Sequence, residues 1–286
     1  MNRHKLWVIF VTLVAFLLSS CSNPDSVELV IDGTNLVRPG EKVEITALVG
    51  ENVSELVWSI TDESLGILAV SPDKPYQAFF TASPNATGYV TITASGETRA
   101  DSIQLLVADL AIAGARGWHF TRQGGGEVQS PDNRGYGPNT VISHWDHGGH
   151  WLEWDLNMPK TDEYALIVRY ATKRDPHLTK RELKVNGEVV LPVMTFRNTG
   201  GYAGPLAGSD LAQVSEWDTA VFPGIYLEAG TQSIRLTHVG DDPASPNGTN
   251  IAYIAFVTLG DLELTDDLLI MIENEIGVQR ELRHWN

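Results

Sequence analysis

The chain has 286 residues, 43% hydrophobic and 20% charged, which is enough apolar material for a packed core and too little charge for a disordered polymer. Asp plus Glu number 36 against 20 Lys plus Arg, a net charge of −16, which disfavours a strong nucleic-acid binder and docking on an anionic lipid surface by charge alone. The single cysteine, Cys21, excludes an intramolecular disulfide and a cysteine-based zinc site.

Arg3 and Lys5 precede an apolar run over residues 6–18, and Ser19 and Ser20 then precede Cys21. A basic start, a short apolar run and small residues form the pattern of a secretory signal over residues 1–20. The run is shorter than the roughly 20 residues that a spanning helix needs. Leu18-Ser19-Ser20-Cys21 also resembles the lipobox of bacterial lipoproteins. That resemblance implies acylation of Cys21, a lipidated tether over 21–26 and attachment to a membrane through the lipid. Ser22 after the cysteine implies the outer membrane, facing either the periplasm or the cell surface. Loss of residues 1–20 removes Arg3 and Lys5 and no acid, moving the charge from −16 to −18.

Residues 27–107 read as short strands at regular spacing. Val43-Glu44-Ile45-Thr46-Ala47-Leu48 and Val90-Thr91-Ile92-Thr93-Ala94 alternate with period two, and Pro39-Gly40 and Asn85-Ala86-Thr87-Gly88 supply turns. About 80 residues of this kind predict a small sandwich. The order of Val37-Arg38-Pro39-Gly40, Val57-Trp58-Ser59-Ile60 and the later alternating strand resembles bacterial immunoglobulin-like domains. The resemblance implies a structural Trp58.

Residues 108–262 predict a second, larger β unit, with strands over 151–157, 164–171, 182–185, 219–227, 233–238 and 251–258. Asn186-Gly187 is a type I′ hairpin signal. No helical period interrupts these strands, so the architecture expected is a jelly-roll sandwich. In the tail, residues 263–286, the run 266–276 has helical apolar recurrence. Thr265 stands as N-cap, Asp266 and Asp267 fall in the first turn, and Gly277 is the terminator. The fold class is therefore all-β: an immunoglobulin-like sandwich, a galactose-binding-like jelly roll and a short C-terminal helix. The helix either packs on the sandwich or docks a protein partner.

Within 108–262 several segments resemble carbohydrate-binding module family 6 and its relative family 35. They are Gly149-His150-Trp151-Leu152-Glu153-Trp154-Asp155, Tyr164-Ala165-Leu166-Ile167-Val168-Arg169-Tyr170-Ala171, Leu183-Lys184-Val185-Asn186-Gly187, Leu227-Glu228-Ala229-Gly230 and Asn250-Ile251-Ala252-Tyr253-Ile254. The resemblance implies an oligosaccharide or polysaccharide partner, held in loops at one end of the sandwich. It places a stacking aromatic at Trp145 and a hydrogen-bonding amide at Asn250. A second aromatic falls on Tyr202 or Trp217, and the latter's spacing also matches a packing tryptophan. Trp118 and Tyr136 are candidates to line the same end. Flat rings cover the apolar face of a sugar, and an amide serves its hydroxyls as donor and acceptor.

His144, His147 and His150 form an H-x2-H-x2-H series, but on an extended chain the rings need not converge on a metal. They are also candidates to protonate in mildly acidic conditions. The family's structural calcium is unmatched: residues 111–117 hold no acid and the late position is Ala252. Glu127 or Asp241-Asp242 are the remaining acids to consider. No cofactor is expected. No paired carboxylates, nucleophile elbow, P-loop or HExxH series appears. Lys173-Arg174-Asp175-Pro176-His177 with Tyr202 keeps a lyase or hydrolase open as an alternative. The sequence thus predicts a lipid-anchored, non-catalytic surface glycan-binding protein. The competing expectation is a structural or assembly lipoprotein that binds a protein partner. The net charge favours neutral or cationic glycans, unless Lys173-Arg174 builds a local basic patch.

Overall fold

A computed structural model describes residues 23–31, 35–175, 179–205, 207, 212–239 and 248–281. Cys21, the signal-like run, Pro176, His177, Asp241, Asp242 and residues 282–286 lie outside them.

The first unit is a sandwich of two sheets. One takes the order β1 (Val27–Ile31), β3 (Lys42–Val49), β6 (Gln77–Ala82), β5 (Gly66–Val70). The other takes the order β2 (Leu36–Val37), β8 (Ala100–Val107), β7 (Gly88–Ser95), β4 (Val57–Ile60). Alternation puts Ile45 and Ala47 of β3, and Val90, Ile92 and Ala94 of β7, inward with 4% exposure or less. They meet Phe80 and Leu105 in one core. Trp58 packs at the edge of that core, half-buried, and its indole donates to the Pro75 carbonyl at 3.0 Å.

The second sandwich has a five-stranded sheet ordered β10 (Arg122–Gly124), β11 (Trp151–Met158), β16 (Gly230–His238), β13 (Lys180–Val185), β14 (Glu188–Thr195). Its four-stranded partner is ordered β15 (Asp218–Leu227), β12 (Asp162–Ala171), β17 (Asn250–Val257), β9 (Ile112–Arg116). Asn186 and Gly187 take positive φ, 52° and 86°, and close the β13–β14 hairpin as their type predicts. Trp154, Leu166, Val168, Leu236 and Phe256 fill the space between the sheets. Every residue of β17 is buried, because both faces of the four-stranded sheet are covered.

The cover on the outer face is partly the tail. Helix α1 (Asp266–Glu275) begins where the Thr265 side chain accepts from the Leu268 N–H at 3.2 Å. It ends at Gly277, φ 69°, with Gly277 N–H on Asn274 O and Val278 N–H on Glu273 O, a Schellman closure. Leu268, Leu269, Met271 and Ile272 are buried against Ile167, Tyr253 and Val257 of the sheet and against Leu36 and Leu106 of the first unit. Full burial of Leu268 and Ile272 contributes about 1.5–3 kcal/mol each. Of the two alternatives for the helix, this is packing on the sandwich: its buried apolar face is covered by this chain. Its residue type and spacing read identically in either case, which is why the sequence left both open.

Candidate functional site

The loop end of the second sandwich lies where β12 finishes and β17 starts, with Ala171 opposite Asn250. Two segments clasp there. Thr199 N–H donates to Thr172 O at 2.8 Å, and Thr172 N–H donates to Thr199 Oγ1 at 2.9 Å. Asn198 Nδ2 donates to Lys173 O at 3.1 Å and its Oδ1 accepts from Gly200 N–H at 2.8 Å. The glycine-rich segment can make this turn because Gly200 sits at φ 96°, a conformation glycine tolerates. Glu216 accepts from Ala203 N–H at 2.7 Å and secures the far side.

Tyr202 stands in this clasped loop, half-buried. Asn250 Nδ2 donates to the Tyr202 carbonyl at 2.7 Å. Burial raises the Tyr202 phenol above its ordinary value, while the charge of Arg174 acts the other way. Arg174 is buried and Lys173 and Asp175 are exposed beside it. Lys173 and Arg174, the cations considered for a local patch, stand at this end with the exposed carboxylate of Asp175 beside them.

The sequence candidates are therefore split. Asn250 and Tyr202 are brought into contact, but Asn250 is 3% exposed and spends its amide on positioning the loop, so it has no face for a sugar. Trp145 is fully buried and is a core residue. Its indole N–H donates to His150 O at 3.0 Å, and the Arg181 guanidinium lies 4.2 Å from its ring. His144, at φ 62°, turns the chain so that the polar neighbours mark a bend and the tryptophan drops inward. Trp217 is also a packing residue: 6% exposed, donating to Arg134 O at 2.8 Å, and edge-on to Tyr136 with centroids 5.2 Å apart. Tyr136 is buried in the outer cluster, accepts from Arg169 Nε at 3.2 Å, and has its phenol pushed up to about 12, mainly by burial. Trp118 is half-buried on the inner core and edge-on to Phe120. Tyr202 and Trp118 are thus the candidates that are only partly buried.

The histidine series does not converge. His144 and His147 are exposed, one on Ser143 Oγ at 2.9 Å and the other on Asp146. His150 is fully buried beside Trp145, and both of its ring nitrogens lack hydrogen-bond partners. Burial, with help from His147 and Arg181, lowers its pKa to about 4, so it stays neutral in mildly acidic conditions. Among the described residues no group of three or more His, Cys, Asp or Glu is placed to hold a metal ion. The calcium that the sequence resemblance implies is not fitted by strands β9 and β17, which pair with Gly114, Ala115 and Ala252 among their residues and hold no carboxylate.

The outer side of the five-stranded sheet carries a further aromatic that the sequence did not place first for ligand. Trp151 is half-buried there, with Arg235 3.9 Å from its ring. Glu153 beside it accepts from Arg122 and, at 2.7 Å, from Arg235. The opposite parity of Trp151 and Trp154 along β11 sends the two rings to opposite faces, and Trp154 is the core one.

No protein-family model matches the chain, and no curated protein matches it. Solved structures similar to part of it include a family 35 carbohydrate-binding module from Clostridium thermocellum, at 26% identity and TM-score 0.37, covering 53% of this chain and 98% of that one. The C-terminal family 6 module of a laminarinase from Zobellia galactanivorans matches at 19% identity and TM-score 0.37, covering 51% and 98%. A β-1,3-glucan-binding family 6 module from Bacillus halodurans matches at 18% and 0.37, covering 50% and 93%.

Proposed function

We propose that this protein is a lipid-anchored, non-catalytic surface protein that binds a glycan at the loop end of its second sandwich. The observation that carries this is Tyr202, an aromatic only partly buried in a loop whose shape is held by the Asn250 amide and the Thr172–Thr199 clasp. A rigid aromatic shelf covers a sugar face at small entropic cost, and a preformed loop limits what must be ordered on binding. The sequence resemblance to families 6 and 35 supports the same end of the sandwich. Cys21 would be the acylated residue, and the first sandwich would stand between it and the glycan.

Affinity electrophoresis through gels containing neutral and anionic polysaccharides tests the site. Retardation of wild type and its loss in Tyr202→Ala are expected. Equal retardation of both would overturn the assignment. New reducing ends or unsaturated products after incubation would overturn the non-catalytic part. Palmitate labelling that persists in Cys21→Ala would overturn the anchor.

A further inference from the structure

Among the described residues Tyr226 is the one exposed Phe, Trp or Tyr, at 68%. It lies at the hairpin end of the second sandwich, remote from Tyr202. Strands β12, β13, β16 and β17 run the length of the sandwich, so the two ends are roughly 30 Å apart at the ~3.3 Å rise of a ten-residue strand. Tyr226 and Val190 line a groove of about 390 Å³ whose polar walls are Asn186, Gln232, Glu188 and Glu228. That size falls in the range of roughly 300–1,000 Å³ usual for small-molecule sites.

The walls are built rather than loose. Asn186 Nδ2 donates to Gln232 Oε1 at 2.5 Å, and Asn186 Oδ1 accepts from Ser233 N–H at 2.9 Å. Gln232 Nε2 donates to Glu228 O at 3.0 Å. Both amides are thereby fixed on the backbone of two hairpins, whose turns are set by Gly187 and Gly230 at positive φ. An exposed ring beside two exposed carboxylates offers an apolar shelf together with acceptors for hydroxyl groups, and the amides brace the wall behind them. Glu188 and Glu228 are both exposed and would repel an anion, so the groove's charge disfavours an anionic partner, while the carboxylates can accept from the hydroxyls of a neutral sugar.

We propose that this groove is a second carbohydrate site, taking a neutral pyranose of a glycan chain with its apolar face on Tyr226. The proposal goes beyond the loop-end reading and uses none of its residues. Two sites at opposite ends would let one polymer bind twice or let one protein bridge two chains.

The test uses the full chain as wild type, Tyr226→Ala, Tyr226→Phe, Tyr202→Ala and the Tyr202→Ala/Tyr226→Ala double variant. Each is run through gels containing barley β-glucan, konjac glucomannan or, as the anionic control, polygalacturonate. Near-UV circular dichroism checks the fold, which Tyr226→Ala should leave intact because the ring is exposed. On a neutral polymer that retards wild type, Tyr226→Ala is expected to weaken retention by about tenfold, the loss of a contact worth over 1 kcal/mol. Tyr226→Phe should retain binding, and the double variant should lose what Tyr202→Ala retains. Retention of Tyr226→Ala equal to wild type, with the double variant equal to Tyr202→Ala, overturns the second site and leaves the loop-end reading to its own variant. Loss in Tyr226→Ala with none in Tyr202→Ala supports the second site and overturns the first. No retention of wild type on any neutral polymer overturns the second site.

Discussion

The hydroxyls of Tyr89 and Thr265 meet at 3.2 Å, joining strand β7 of the first sandwich to the cap of helix α1 across 176 residues of sequence. The same Thr265 oxygen caps the helix through Leu268 N–H. Behind this contact Leu36 and Leu106 share one buried cluster with Leu268 and Val257. The two sandwiches and the tail are therefore energetically coupled.

Calorimetry of the chain should accordingly show one cooperative transition. Leu268→Ala removes a fully buried side chain from the shared cluster and should cost about 2–5 kcal/mol, with both sandwiches melting earlier. Two separable transitions in wild type would contradict the coupling.

Trp145→Ala should lower stability by about 3–5 kcal/mol, as expected for a large core aromatic, and should also leave the Arg181 guanidinium without its ring. Denaturant titration measures this. A variant of wild-type stability with selectively lost glycan retention would mean that the side chain reaches the ligand after all.

His150 supplies a pH dependence whose sign follows from burial. Its folded pKa, about 4, lies below the unfolded value near 6.5, so the unfolded chain binds more protons between those limits. The neutral ring's contribution is fully present above about pH 6.5 and is lost as pH falls toward 4. Stability of His150→Gln should decline less over that window than stability of wild type. A ring titrating near 6.5 by NMR would show the burial argument to be mistaken.

Glu153 is 6% exposed. Burial alone would raise its carboxyl, but hydrogen bonds from Arg122 and Arg235 outweigh it and hold the pKa below the ordinary value. The pairing is present above the unfolded carboxyl pKa and is lost as pH falls through the lowered one. Glu153→Gln should cost about 1–3 kcal/mol at neutral pH and flatten the acid limb of the stability curve. An unchanged neutral-pH stability would indicate that solvent screening of Arg122 leaves the pair without net effect.

The period-two strands at 43–48 and 90–94, the Asn186-Gly187 hairpin and the Thr265-to-Gly277 helix were all legible, because each rests on local chemistry. Strand β14 was not anticipated. Val189-Val190-Leu191-Pro192 does not alternate and carries a proline, which a sheet accepts only at an edge, where this strand lies. The site was less legible for a related reason. His144, Asp146 and His147 around Trp145 resemble an exposed loop, yet a single positive-φ turn buries the tryptophan, and burial is a tertiary fact. Tyr226 carried no sequence signal at all. Its alternation in β15 predicts only an outward side chain, and its groove depends on hairpins from the other sheet.

Val107 closes β8 and Ile112 opens β9, and Ala108, Leu110 and Ala111 between them are sunk in the interior. Swivelling at this joint would bring those apolar side chains into water, so their burial resists it. The packing therefore favours one inclination of the two sandwiches, and a pull on one is passed to the other through packed side chains rather than through a slack tether.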